Sequence, residues 1–176
     1  DITSDYFKEL IVRWFQFGLF SPVMRLHGSR NRHFEPTPGL KEPSGDPNEI
    51  WSFGEKNFEI LKNLIFIREK LKPYIITQMD IASEQGYPVM RPMFFEYPDD
   101  ETCYALDSQY MFGDDIIFAP VVEQGQTKKS VYIPDGEWIL TKDKKIYTKG
   151  TYEITAEIDE FIAFVKSGSD VIECFE

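Results

Sequence analysis

The sequence predicts an α/β segment followed by an all-β domain. Three observations carry this: apolar residues recur at helical spacing in the first half, short apolar runs alternate with turn signals in the second, and the texture changes at Gly86-Tyr87-Pro88. From residue 5 to 17, Phe7, Leu10, Ile11, Trp14 and Phe15 form one stripe, with Lys8, Glu9 and Arg13 off it and Gly18 placed as a C-terminal stop. Next, Ser21-Pro22-Val23-Met24-Arg25-Leu26 predicts a short buried strand ending at His27-Gly28, the helix-then-strand rhythm of an α/β fold. Residues 29–51 hold four prolines and the basic cluster Arg30, Arg32, His33, and predict a long surface loop: the rim of a binding site or a solvated insertion.

Ser52 with Glu55 three residues on matches a capping box, and Phe58, Leu61 and Ile65 onward to Met79 predict a long helix. Pro73 should kink it or divide it near Lys72. Beyond Pro88, the runs 89–97, 110–112, 116–122, 130–133 and 161–165 are strand-like. The signals Pro98-Asp99-Asp100, Gly113-Asp114-Asp115, Pro134-Asp135-Gly136 and Ser167-Gly168-Ser169 stand between them. A sheet or sandwich of about six to eight strands suits that half, which places a boundary near Pro88.

Composition narrows the function. Of 176 residues, 30 are acidic and 19 basic, and a net charge of -11 opposes binding to nucleic acid or to an anionic membrane surface. No stretch of about eighteen apolar residues occurs, and Asp1-Ile2-Thr3-Ser4-Asp5 has no signal-peptide character. The residues fix no compartment, with the cytoplasm slightly favoured. Cys103 and Cys174 lack CxxC spacing and read as plain core or surface thiols. His27 and His33 have no partner at i+4, so no metal site is supported. The adjacent acids Asp99-Asp100 and Asp114-Asp115 invite a paired-carboxylate reading, but neighbours in a turn point apart and turn chemistry accounts for them. Neither a phosphate loop nor a GxSxG elbow is present. His27, at the C-terminal end of the predicted strand and beside Arg25, is open to a ligand-facing or a structural role. Asp1, taken alone, is a terminal acid that solvation or capping would explain.

An ordered set of segments resembles the C-terminal part of retaining α-glycosidases of glycoside hydrolase family 31, the α-glucosidases and α-xylosidases. These are Leu10-Ile11-Val12-Arg13-Trp14-Phe15-Gln16-Phe17-Gly18, Phe20-Ser21-Pro22, Arg25-Leu26-His27-Gly28, Pro47-Asn48-Glu49-Ile50-Trp51-Ser52-Phe53-Gly54-Glu55 and Leu71-Lys72-Pro73-Tyr74. After them come Gly86-Tyr87-Pro88-Val89-Met90-Arg91-Pro92-Met93-Phe94, Gln109-Tyr110-Met111-Phe112-Gly113-Asp114-Asp115, Val131-Tyr132-Ile133-Pro134 and Phe164-Val165-Lys166-Ser167-Gly168.

The resemblance implies the last elements of a (β/α)8 barrel over residues 1–88 and a proximal β-sandwich over 89–176. A complete barrel needs about 250 residues, so the chain would carry only part of one. His27 matches the family histidine that hydrogen-bonds the sugar where cleavage occurs, with Arg25 as its support. Asp1-Ile2 resembles the start of the family's Asp-Ile-Gly-Gly-Phe segment, whose aspartate lies at the sugar pocket, although Thr3-Ser4-Asp5 follows here in place of Gly-Gly-Phe. The expected substrate-binding residues are therefore His27, Arg25 and Asp1. The expected partner is an oligosaccharide, with no cofactor, metal, nucleic acid or membrane. Family chemistry is double displacement by two carboxyl groups. Neither the nucleophile segment nor the acid segment is found here, so the chain alone is expected to be inactive. The segment from Pro47 to Glu55, with the insertion before it, is closer to the α-xylosidase-like branch. The alternative is a non-catalytic carbohydrate-binding or structural module. A partial barrel would expose Trp14, Phe15, Leu61 and Ile65, which predicts self-association, rearrangement of 1–88, or a β domain that is the stable part.

Overall fold

The computed structural model describes residues 3–26 and 48–176. Helix α1 spans Asp5–Leu19, and Ser4 caps it by accepting the Phe7 N–H at 3.2 Å. Its apolar surface is wider than one stripe: Ile11, Val12, Phe15 and Leu19 are buried, whereas Trp14 is 68% exposed and Leu10 and Phe17 are also open. The helix runs one residue past Gly18. That glycine is closely packed rather than a stop: a Cβ there would lie 3.1 Å from Cγ of Met24 on the returning chain, which would have to shift.

Residues 21–26 form bends and irregular chain rather than the expected strand. A parallel strand needs a neighbour's ladder, and none of the described strands pairs with this segment. Most of the expected loop, 29–47 of 29–51, lies outside the described residues, and Ile50–Phe53 is a short 3-10 turn.

Helix α2 spans Glu55–Gln85 without interruption, 31 residues or about 46 Å. The capping box does not form. Ser52 belongs to the 3-10 turn and its hydroxyl donates to the Glu49 carboxylate, while Gly54 at φ 88° is the N-cap without a side-chain bond. Pro73 is accommodated inside the helix because it sits on the exposed face, where the carbonyl it leaves unbonded meets water. Gly86, left-handed at φ 78°, ends the helix by donating its N–H to the Ala82 carbonyl at 3.1 Å.

Eight strands follow: β1 Met90–Pro92, β2 Tyr110–Phe112, β3 Ile116–Phe118, β4 Lys128–Ile133, β5 Trp138–Leu140, β6 Ile146–Tyr147, β7 Gly150–Thr155 and β8 Ala163–Lys166. The expected run 89–97 is strand only over β1. Pro92 has no N–H to continue a ladder, and the chain turns into helix α3, Met93–Glu96, and then α4, Glu101–Tyr104, which Asp100 caps. One sheet has the order β1-β2-β3-β8-β5-β6, all antiparallel, and β4 pairs with β7 in a separate ribbon.

Register explains the layering. Met111, Ile117, Phe164 and Leu140 lie opposite one another across β2, β3, β8 and β5, and their side chains join Val131, Ile133 and Ile154 of the ribbon in one core. Their neighbours Phe112, Ile116 and Val165 form the adjacent row and pack, with Phe118 and Ala163, against Val12, Leu19, Phe20, Leu61 and Leu71. The large sheet is thus covered by the ribbon on one face and by both helices on the other, which is why β3 is apolar at every position. Phe15 and Leu61, expected to be exposed, are buried in this second core, while Trp14 and Ile65 are open as expected. Both cysteines are free. Cys103 is fully buried, and burial pushes its thiol up to about 11.

Candidate functional site

Of the three residues expected to bind substrate, Arg25 is described and Asp1 and His27 lie outside the described residues. The structure therefore places the chain leading to the site rather than an assembled pocket. Arg25 is exposed. With Met24 and Leu26 it lines a groove of about 950 Å³ between α1 and α2, whose other walls include Trp14, Ile65 and Ile76. The groove is apolar, with Arg25 at one side and Arg68, Glu69 and Lys72 at another. Among the described residues, no group of three His, Cys, Asp or Glu is placed to hold a metal ion, and no helix is long and apolar enough to cross a membrane.

What fixes the chain entering the Arg25 segment is polar. Arg68 of α2 donates from Nη1 to the carbonyls of Leu19 and Ser21, both at 2.7 Å, and from Nη2 to that of Pro22 at 2.9 Å. The Tyr110 hydroxyl on β2 donates to the Phe20 carbonyl at 2.8 Å. These acceptors are the orphan carbonyls of a helix C-terminus and the residues just after it, where a cation is favoured. Burial pulls the Arg68 guanidinium down and pushes the Tyr110 phenol up, and both groups keep their protons throughout the physiological range.

Two further polar knots hold the surroundings. Arg13 is buried and donates to the carbonyls of Glu160 and Ala156, both at 3.0 Å, to that of Gln126 at 3.3 Å, and to Oε1 of Gln16 at 3.1 Å. Gln16 in turn donates to the carbonyls of Ile158 and Glu160. Arg91, 2% exposed, pairs with Glu96 and Asp114 and donates to the Gln78 side chain and the Pro88 carbonyl. Burial opposes its charge, and the two carboxylates hold its pKa above the ordinary value. The Gly113-Asp114-Asp115 turn thus does more than reverse the chain: Asp114 meets Arg91 and Gln78, and Asp115 accepts from Ser169. Gly113 itself, at φ 65°, is packed so closely that a Cβ would lie 2.6 Å from the Gln78 side chain.

Arg13, Arg68 and Arg91 carry this framework, and sequence patterning marks none of them, because a lone arginine on an amphipathic helix or a short strand has the same pattern as a solvated one. Arg13 and Arg68 face backbone carbonyls from distant parts of the chain, and Arg91 faces the side chains of Asp114 and Gln78 from other elements, which depends on tertiary packing.

The sequence matches two profiles in order: the glycosyl hydrolases family 31 TIM-barrel domain over residues 3–78 and the glycosyl hydrolase family 31 C-terminal domain over residues 86–171. The chain belongs to glycoside hydrolase family 31. Its helical half is the end of that family's TIM barrel, and its β half is the family's C-terminal domain. A relative, α-glucosidase 2 of Bacillus thermoamyloliquefaciens, is 35% identical over 93% of this chain and 19% of its own length. The isomaltosyltransferase of Sporosarcina globispora is 38% identical over 92% of this chain and 14% of its own. Among solved structures, a family 31 α-xylosidase from a soil metagenome, complexed with xylose, superposes with a TM-score of 0.92 at 38% identity, over 100% of this chain and 27% of that one. The chain thus spans about a fifth of the length of the family members it matches.

Proposed function

We propose that this chain forms the end of the catalytic barrel, over residues 1–88, and the following β-sandwich, over 89–176, of a retaining α-glycosidase that removes terminal α-linked xylose or glucose from oligosaccharides. The observation that carries the reading is the ordered match to both family 31 domains across nearly the whole chain. In this reading His27 hydrogen-bonds the sugar at the subsite of cleavage, Arg25 supports it, and Asp1 lies at the same pocket. The two reacting carboxyl groups, about 5 Å apart in a retaining enzyme, belong to other barrel strands of the full-length polypeptide. This chain contributes sugar contacts and no turnover of its own.

Xylose is the expected sugar: the segment from Pro47 to Glu55 resembles the α-xylosidase-like branch, and the likeness to a family 31 α-xylosidase structure, which covers the entire chain, supports the reading. Assays of the full-length polypeptide with p-nitrophenyl α-xyloside and α-glucoside test this. Faster cleavage of the xyloside supports the reading, faster cleavage of the glucoside replaces xylose by glucose, and sugar binding without hydrolysis or transfer makes the protein a non-catalytic module.

The open groove between α1 and α2 is the face on which the preceding barrel units would pack. In the isolated chain, Trp14, Leu10, Ile65 and Ile76 are partly left to water, and full burial of an exposed side chain of this kind is worth about 1.5–3 kcal/mol. The 176-residue chain is accordingly expected to self-associate, giving a weight-average mass above 20.6 kDa that rises with concentration at sedimentation equilibrium. A concentration-independent monomer would show that this face needs no partner.

A further inference from the structure

Four consecutive carbonyl oxygens at the exit of α1 are each taken by a side chain from another element. Arg68 of α2 binds those of Leu19, Ser21 and Pro22, and Tyr110 of β2 binds that of Phe20. Three residues after the last of them comes Arg25, and two further on comes His27. We infer that Arg68 and Tyr110 are positioning residues for the sugar-binding segment, so that the long barrel helix and the C-terminal sheet jointly fix the chain at residues 19–22, which leads in sequence to Arg25 and His27. The inference rests on the proposed role of that segment in binding sugar.

Residues 21–26 join none of the described strands, so within this chain the side chains of Arg68 and Tyr110, and no ladder among the described strands, hold residues 19–22. A guanidinium supplies a rigid fork of donors, and here it spans three carbonyls on both sides of Phe20, which fixes the orientation of the chain as well as its position. Glu69 is the acid whose charge acts on Arg68, and it is the next residue on the same helix. The cation is therefore held chiefly by the carbonyls themselves. Tyr110 is itself held by ring contacts with Phe17 and Phe118, so its hydroxyl reaches Phe20 from a packed base. Through it the C-terminal domain acts on the barrel's sugar-binding loop, a role separate from covering the barrel's surface.

The test uses the full-length polypeptide and the kinetics of p-nitrophenyl α-xyloside and α-glucoside hydrolysis. The variants are Arg68→Lys, Arg68→Met, Tyr110→Phe, His27→Ala and, as a control, Tyr132→Phe. The control loses a hydroxyl that donates to Asp100 at 2.7 Å, the same chemical change as Tyr110→Phe at a place that does not touch the segment. Misplacement of a binding group by about 1 Å costs up to a hundred-fold in rate. Arg68→Met and Arg68→Lys are expected to lower kcat/KM by at least about ten-fold and Tyr110→Phe by several-fold, with a raised KM, while Tyr132→Phe matches the parent. Should Arg68→Met fail to fold, the lysine and phenylalanine variants decide. Parent-like kinetics in Arg68→Lys and Tyr110→Phe alongside an impaired His27→Ala would overturn the inference alone. Parent-like kinetics in His27→Ala, or no turnover by the unaltered polypeptide, would remove the reading of the segment and the inference with it.

Discussion

Phe20→Ala is expected to destabilise the chain by about 3–5 kcal/mol, lowering its melting temperature by roughly 10 °C. Phe20 is fully buried and stands where α1 meets the large sheet. Its ring stacks on Phe118 with centroids 4.2 Å apart, meets Phe112 and Phe161 edge-on, and lies 6.3 Å from Phe175. Truncation removes these contacts from both halves at once and leaves a cavity that rigid rings on β2, β3 and the chain flanking β8 cannot fill. Phe20→Leu, which keeps most of the volume, should recover more than half of the loss. The measurement is thermal or urea unfolding followed by far- and near-ultraviolet circular dichroism. A loss below about 1 kcal/mol would mean that the helices and the sheet do not share this core.

Arg13→Met should cost roughly 2–4 kcal/mol although methionine fills similar volume. The carbonyls of Ala156 and Gln126 and the side-chain oxygen of Gln16 lose their donor, while the Glu160 carbonyl keeps the Gln16 amide. Unsatisfied acceptors in a closed site are the source of the cost, so Arg13→Lys, which offers a single ammonium in place of a fork, should fall between the two. Gln16→Leu in the same background removes one orphaned acceptor but also the Glu160 carbonyl's remaining donor, so the two substitutions should couple rather than add. Both Phe20 and Arg13 join the first half of the chain to the second. Their variants are therefore expected to shift one common transition. If the far-ultraviolet signal of the helices melted separately and the β signal were unmoved, the β domain would be the stable part, as the partial barrel suggests from sequence.

Some of the fold was legible before any coordinates. Glycine and proline signals at 113, 134–136 and 167–169 mark real reversals, and the change of texture at Gly86-Tyr87-Pro88 falls at the end of α2. The misses have physical causes. Met93-Phe94-Phe95 has the composition of a strand, and it turns helical because Pro92 cannot carry a ladder onward. Ser52 and Glu55 have capping-box spacing, and a 3-10 turn claims the serine first. Residues 21–26 have strand composition, and none of the described strands pairs with them; the carbonyls of Ser21 and Pro22 go to Arg68. At the site, His27 and Arg25 stand out by residue type and place, whereas Arg68 and Tyr110 become visible only once α2 and β2 are seen beside the exit of α1.

Whether the segment at Arg25 and His27 binds the sugar that the full-length polypeptide cleaves decides what this chain does. The most direct measurement is hydrolysis of p-nitrophenyl α-xyloside and α-glucoside by three preparations side by side: the full-length polypeptide, its His27→Ala variant and the 176-residue chain alone. Turnover by the first, a loss of at least about a hundred-fold in the second and none in the third is the predicted result, since a displaced or deleted binding group costs rate on that scale. Turnover by the isolated chain, or full activity in His27→Ala, would contradict it.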